Sequence, residues 1–222
     1  SVQISLSLEI PNADAGQDTL LTCAITSVVL DGTQSDIGPA LEYLWTTSDG
    51  NIVSGETTLN PTIDQNGTYQ LVVTNTANGC SSLDGVFVGI DTLSPLADAG
   101  VDQILDCGVT SLSLDGSGSA TGPIYSYEWT TNGGNIQSGG NTLTPVVDNE
   151  GSYTIIVTNN ETGCTAEDEV LVELDADIPL ADAGAPDTLS CAVTSLQLNA
   201  TASQGPSIFY AWSTPDGNIL NG

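Results

Sequence analysis

The sequence predicts an all-β protein, a tandem row of antiparallel sandwiches, and three observations carry that expectation. Apolar residues alternate with a period of two wherever a period can be scored, as in Leu41, Tyr43 and Trp45. Gly, Asn and Asp punctuate the chain at short intervals and supply turns. Landmark residues return at a fixed interval, which is the mark of a repeat architecture.

That interval is 84 residues. The tetrad Ala-Asp-Ala-Gly starts at Ala13, Ala97 and Ala181, and Cys23, Cys107 and Cys191 keep the same step, as do Cys80 and Cys164. Trp45 and Trp129 follow it, and Trp212 falls one residue short, which places a single deletion in the third copy. The register divides the chain into 1–12, matching the end of a copy, repeats 13–96 and 97–180, and 181–222, matching the first half of another. The expectation is therefore a window on a longer polymer of repeats.

Within a copy the elements follow in order. Val28 and Leu30, with Leu112 and Leu114 and Leu196 and Leu198, point to one face just ahead of a turn. Leu41, Tyr43 and Trp45 come next, matched by Tyr125, Tyr127 and Trp129 and by Ile208, Tyr210 and Trp212. Then come Leu59, Pro61 and Ile63, then Tyr69, Leu71 and Val73, then Val86, Val88 and Ile90. About seven short strands per copy, separated by turn residues, is the pattern of an antiparallel sandwich. The stretches before Tyr69 and Tyr153 have the turn and spacing of a tyrosine corner, so both rings belong to the core, as do the three Trp.

Composition removes most function classes. The chain has no Lys, Arg, His or Met, and 28 carboxylates give a formal charge of −28. Without cations nothing neutralises phosphates, so nucleic acid and direct contact with anionic membranes are excluded. Absent His, Lys and Arg also remove the common general base, Schiff-base chemistry and anion clamps, leaving a carboxylate-only hydrolase as the one enzyme class to weigh. Repetition of every Asp motif argues for structure instead, and no enzyme is expected.

The set Ala-Asp-Ala-Gly-X-Asp, Leu-Asp-Gly-Ser-Gly-Ser (114–119), Tyr-X-Trp and Gly-X-Tyr-X-Ile/Leu-X-Val-Thr-Asn resembles the PKD-like and related immunoglobulin-like repeats of large bacterial surface proteins. The Asn-Gly-Cys and Thr-Gly-Cys variants (78–80, 162–164) look most like copies from Bacteroidota-type adhesins or filaments. One departure stands out, because the Trp-Asp-Phe-Gly-Asp-Gly usual in PKD domains is here Trp45-Thr46-Thr47-Ser48-Asp49-Gly50. The resemblance implies tandem immunoglobulin-like sandwiches in an extracellular, cell-surface or secreted-filament setting, acting as spacers or as the fibre itself.

Five Cys in such a chain point to disulfides. One bridge per repeat pairs Cys23 with Cys80 and Cys107 with Cys164, leaving Cys191 over. Against this, the turn holding Cys23 and the turn holding Cys80 lie at opposite ends of a sandwich, about 26 Å apart over an eight-residue strand. A head-to-tail array instead allows Cys23 to bridge to Cys164 and staple neighbouring copies. Both pairings stand at this point.

Carboxylates gather at the copy boundaries: Asp91, Asp98 and Asp102 at one, and Glu173, Asp175, Asp177, Asp182 and Asp187 at the next. Structural calcium, which takes oxygen ligands, is the one non-protein component they call for. The boundaries themselves, Ser94-Pro95-Leu96 and Ile178-Pro179-Leu180, are short and imply a semi-rigid rod. Asn66, Asn160 and Asn199 match N-glycan sequons, and Thr19, Thr92 and Thr188, in Asp-Thr-Leu triplets, fit the O-glycosylation pattern that the Bacteroidota resemblance implies.

The function expected is structural, a protease-resistant extracellular fibre, filament or adhesin shaft, since trypsin-like enzymes have no Lys or Arg to cut after. Its partners are neighbouring repeats and other copies of itself, and a glycan or host surface. The alternative is a carbohydrate- or protein-binding surface module.

Overall fold

Alternation decides which way each strand faces. In the strand Gly67–Asn75, Tyr69, Leu71 and Val73 are buried while Thr68 and Gln70 between them are exposed, as a period of two requires when one face meets a core. The structure, a computed structural model, describes residues 9–106, 108–175, 179–205 and 208–221.

Seven strands form a first sandwich: β1 (Thr19–Thr22), β2 (Val28–Val29), β3 (Leu41–Thr47), β4 (Ile52–Ser54), β5 (Thr62–Ile63), β6 (Gly67–Asn75) and β7 (Ser81–Asp91). One sheet has the order β1-β7-β6-β3 and the other β2-β5-β4. All pairings are antiparallel except β1 with β7, which run parallel with Thr19 opposite Val88 and Thr22 opposite Asp91. Seven more strands repeat the arrangement: β8 (Gln103–Leu105), β9 (Leu112–Ser113), β10 (Tyr125–Asn132), β11 (Ile136–Ser138), β12 (Val146–Val147), β13 (Gly151–Asn159) and β14 (Thr165–Leu174), in sheets β8-β14-β13-β10 and β9-β12-β11. The chain is thus an all-β pair of tandem immunoglobulin-like sandwiches.

Each sandwich owns its core. Trp45, Ile63, Tyr69, Leu71, Val73, Val86 and Val88 fill the first, and Trp129, Val147, Tyr153, Ile155, Val157, Val170 and Val172 the second. The Trp indoles are buried yet satisfied, Trp45 Nε1 donating to Thr58 O and Trp129 Nε1 to Thr142 O, both at 2.9 Å. The tyrosine corner forms as the spacing predicts. Tyr69 Oη donates to Gln65 O at 2.5 Å and accepts from Asn51 N at 3.0 Å; Tyr153 Oη does the same with Asn149 O at 2.7 Å and Asn135 N at 2.9 Å. Glycine is required at 50 and 134 because a Cβ there would run into these rings.

The segments entering each sandwich are pinned at matching places. Asp36 N donates to Asn12 O, Ala120 N to Leu96 O and Gln204 N to Leu180 O, at 2.9–3.0 Å. Expectation and structure part in the third copy. Among its described residues there is one isolated bridge, Leu180 with Gln204, and no strand; Tyr210 and Trp212 are exposed rather than core. Their counterparts Tyr43 and Trp45 pair with β6, whereas among the described residues no strand pairs with Tyr210 or Trp212.

Candidate functional site

The chemistry of this chain concentrates where the two sandwiches meet. The turn after β1 is held by Thr22, whose N–H donates to Ile25 O at 2.9 Å and whose Oγ1 accepts from Ile25 N at 3.1 Å, so Cys23 and Ala24 form its tip. The turn before β14 is built on Asn159: Gly163 N donates to its carbonyl at 2.7 Å, and its Oδ1 accepts from Glu161 N at 3.0 Å. Gly163, at φ 70, takes the left-handed conformation that brings Cys164 to the front.

Cys23 and Cys164 are joined by a disulfide with Cα atoms 5.0 Å apart, within the range such a bond requires. Ala24 N donates to Thr162 O at 3.0 Å beside it, and Cys164 is fully buried with Sγ 4.0 Å from the Asp91 carbonyl oxygen. The fit is close: a Cβ on Gly163 would stand 2.5 Å from Ala24 Cβ. A segment of two different sandwiches is therefore fixed by one covalent bond and one backbone hydrogen bond.

The one-bridge-per-repeat pairing does not form. Since Thr22 lies opposite Asp91, Cys23 follows at the Asp91 end of β7, while Cys80 precedes Ser81 at the other end. Eleven residues of strand separate them, about 33 Å at the usual rise. Cys164 is taken by Cys23, so it is not available to Cys107, which itself lies outside the described residues. Cys80, half-buried, and Cys191, exposed, are free.

The described boundary carboxylates are turned to backbone N–H groups. Asp91 Oδ1 accepts from Leu93 N at 3.2 Å, Asp98 Oδ1 from Gly100 N at 2.8 Å, Asp102 Oδ1 from Leu171 N at 2.9 Å and Asp182 Oδ1 from Gly184 N at 2.6 Å. Asp175 N donates to Leu105 O at 3.0 Å, and Asp177 lies outside the described residues. Among the described residues no three His, Cys, Asp or Glu are grouped to hold a metal ion. The carboxylates named here fasten turns and strands. Two that the sequence reading did not single out, Asp84 and Asp168, accept from Ala15 N and Ala99 N at 2.7 and 2.8 Å, tying the Ala-Asp-Ala-Gly segment to the last strand. Their signal was the recurrence of one carboxylate 69 residues after each Ala.

The glycan candidates spread over the surface. Asn66, Asn160 and Asn199 are exposed, as are Thr92 and Thr188, whereas Thr19 is a half-buried residue of β1. Thr162, the hydroxyl residue of the Asn160 sequon, is buried in the junction. An open cleft on the first sandwich is lined by Leu41, Glu42, Tyr43, Leu44, Thr57, Val72 and Thr74.

No family model matches the chain. Among curated proteins it is similar to the mouse dyslexia-associated protein KIAA0319-like protein, 33% identical over 132 residues, which is 54% of this chain and 13% of that protein. Among solved structures it is similar to the PKD domain from the KIAA 1837 protein, 25% identical over 39% of this chain and 93% of that one, with a TM-score of 0.30. It is similar also to the titin I-band fragment I67-I69, 12% identical over 96% of this chain and 82% of that one, with a TM-score of 0.38.

Proposed function

We propose that this chain is a structural, extracellular repeat protein whose units, 13–96 and 97–180, build a semi-rigid surface fibre or adhesin shaft of the kind its bacterial resemblance implies. The observation that carries the proposal is the Cys23–Cys164 bond, which joins one sandwich to the next rather than closing either on itself. A disulfide needs an oxidising compartment to persist, which supports a location outside the cell. A bond between units also restricts their relative motion, which a shaft requires and a string of independent domains does not. Absence of Lys and Arg removes every trypsin-type cleavage site, and the net charge of −28 keeps β-rich units apart.

Negative-stain electron microscopy of the native material tests the proposal. Filaments or thin strands with one fixed axial repeat are expected, and globular particles without axial order would reject it.

A second reading, a carbohydrate- or protein-binding module, draws on a difference between the copies. The first sandwich exposes Leu44, Leu83 and Phe87, where the second has Glu128, Glu167 and Leu171. Retention on a glycan array or a host-protein column, lost in Leu44→Glu/Leu83→Glu, would favour it.

A further inference from the structure

The net charge of −28 is not spread evenly over the two sandwiches. Along β3, β6 and β7 the core residues alternate with a second set that points away from the core. In the first sandwich that set places Leu44, Val72 and Leu83 in one row across the sheet, Thr46, Gln70 and Gly85 in the next, and Thr68 beside Phe87 after that. Leu20 of β1 lies opposite Gly89 and covers it, since a Cβ there would stand 2.6 Å from Leu20 Cδ2. Leu20, Leu44, Leu83 and Phe87 are all exposed. Glu42, Asp18 and Asp91 stand at the rim, where Asp18 Oδ1 accepts from Phe87 N at 2.9 Å and Asp91 Oδ1 from Leu93 N at 3.2 Å.

The second sandwich makes the opposite choice at the same register. Leu44, Leu83, Gly85 and Gly89 give way to Glu128, Glu167, Glu169 and Glu173, so that Glu128, Ile156 and Glu167 form the row that Leu44, Val72 and Leu83 form in the first. Carboxylates in such numbers on one sheet face repel another face of the same kind. Matching strands form under either set, so the difference concerns what the face meets.

We propose that this face of the first sandwich is a self-association surface, on which the first sandwich of a second copy of the chain packs sheet to sheet. Charge decides the occupant. Two copies repel wherever their carboxylates meet, and with no Lys, Arg or His in the chain no side-chain ion pair offsets that repulsion. Around Leu44 and Leu83 the carboxylates are withdrawn to the rim and apolar surface is there to bury. Gly85 adds a notch between Leu83 and Phe87 that accepts an opposing apolar side chain, because the nearest atom to a Cβ there would be Tyr69 O at 3.6 Å. Four strands about 4.8 Å apart, with seven residues of β3 at about 3.4 Å each, make a face of roughly 450 Å². Two such faces bury about 900 Å², under the roughly 1,200 Å² at which standard interfaces begin, so a single pair of chains holds together weakly. The contact gives the fibre reading its lateral partner and rests on that reading for its role.

Sedimentation of the oxidised full chain over a range of protein concentrations, at low and high salt, tests the proposal. A monomer–dimer equilibrium that strengthens with salt is expected, because screening removes the residual repulsion while apolar burial remains. Gly85→Glu and Leu44→Glu/Leu83→Glu install residues that the second sandwich carries at matching positions, and each should weaken the association at least about tenfold. Val29→Glu adds the same charge at an exposed position of β2, on the other sheet, and should change it less than about twofold. Monomers at every concentration, association that salt weakens, equal losses in Val29→Glu and Gly85→Glu, or capture of a glycan on this face by a chain that stays monomeric would each overturn the proposal. Electron micrographs keep its failure apart from that of the fibre reading. Axial order without association rejects the lateral face alone, and association without axial order rejects the fibre.

Discussion

Single polar atoms hold turns that burial alone would leave loose. Tyr153 Oη links Asn149 O to Asn135 N, groups on two different segments. Tyr153→Phe keeps the ring and leaves both partners unpaired, and should cost the second sandwich about 1.5 kcal/mol in urea denaturation. Burial pushes the Tyr69 phenol above its ordinary value of 10.0, with the charges of Asp64 and Asp49 acting the same way. The folded state therefore holds that proton more tightly, and the first sandwich should lose stability as pH rises through about 10, a loss Tyr69→Phe removes. Asp31 moves the other way. The Thr33 hydroxyl, 2.6 Å from its Oδ1, and the Thr33 N–H hold it below the ordinary 3.8. Its contribution is present above that value and lost as pH falls through the lowered one. A carboxyl NMR titration should show the Asp31 midpoint below that of a free aspartate, and Thr33→Val should raise it.

At the scale of the strand, β6 carries the first sandwich, pairing with β3 on one side and β7 on the other and placing Tyr69, Leu71 and Val73 inside. Leu71→Ala should cost about 3 kcal/mol by the loss of buried methyl groups and the cavity left behind, whereas Gln70→Thr, on the exposed face, should stay within about 0.5 kcal/mol. Equilibrium unfolding of both variants checks the contrast. Strands of this kind were legible in the sequence because a one-sided core imposes alternation, and the copies confirmed one another residue by residue. The tyrosine corner was legible for the same reason, being local. The third copy was not, because Ile208, Tyr210 and Trp212 alternate as their counterparts do, and alternation records a face to be buried without showing whether a partner strand is there. At the acidic boundaries composition shows how many carboxylates gather but not where each one points. Asp91, Asp98 and Asp102 are close in sequence, but each is turned to a nearby backbone N–H that composition does not reveal.

For the whole molecule the decisive feature is where the Cys23–Cys164 bond falls along the chain. The two cores share no residue and every strand pairs within its own sandwich, so the bond is not needed for either to form. Its sequence separation of 141 does place most of both sandwiches inside one closed loop, worth about 5 kcal/mol in the chain-entropy account. Pulled from its ends, the oxidised chain passes load directly from Cys23 to Cys164, and residues 24–163 carry none of it. Only β1, ahead of the bond, and β14, behind it, remain in the load path among the strands. Single-molecule stretching of the oxidised chain should therefore stop well short of full extension. Adding a reductant should release the loop, lengthening the unfolded chain by about 500 Å at roughly 3.5 Å per residue, and Cys23→Ser should show that length from the outset. Equal contour lengths before and after reduction would mean that the bond does not form in solution. A shaft made of such units resists extension through covalent bonds rather than through the hydrogen bonds of its sheets, and the stiffness proposed for it rests on sulfur at each junction more than on the stability of any one sandwich.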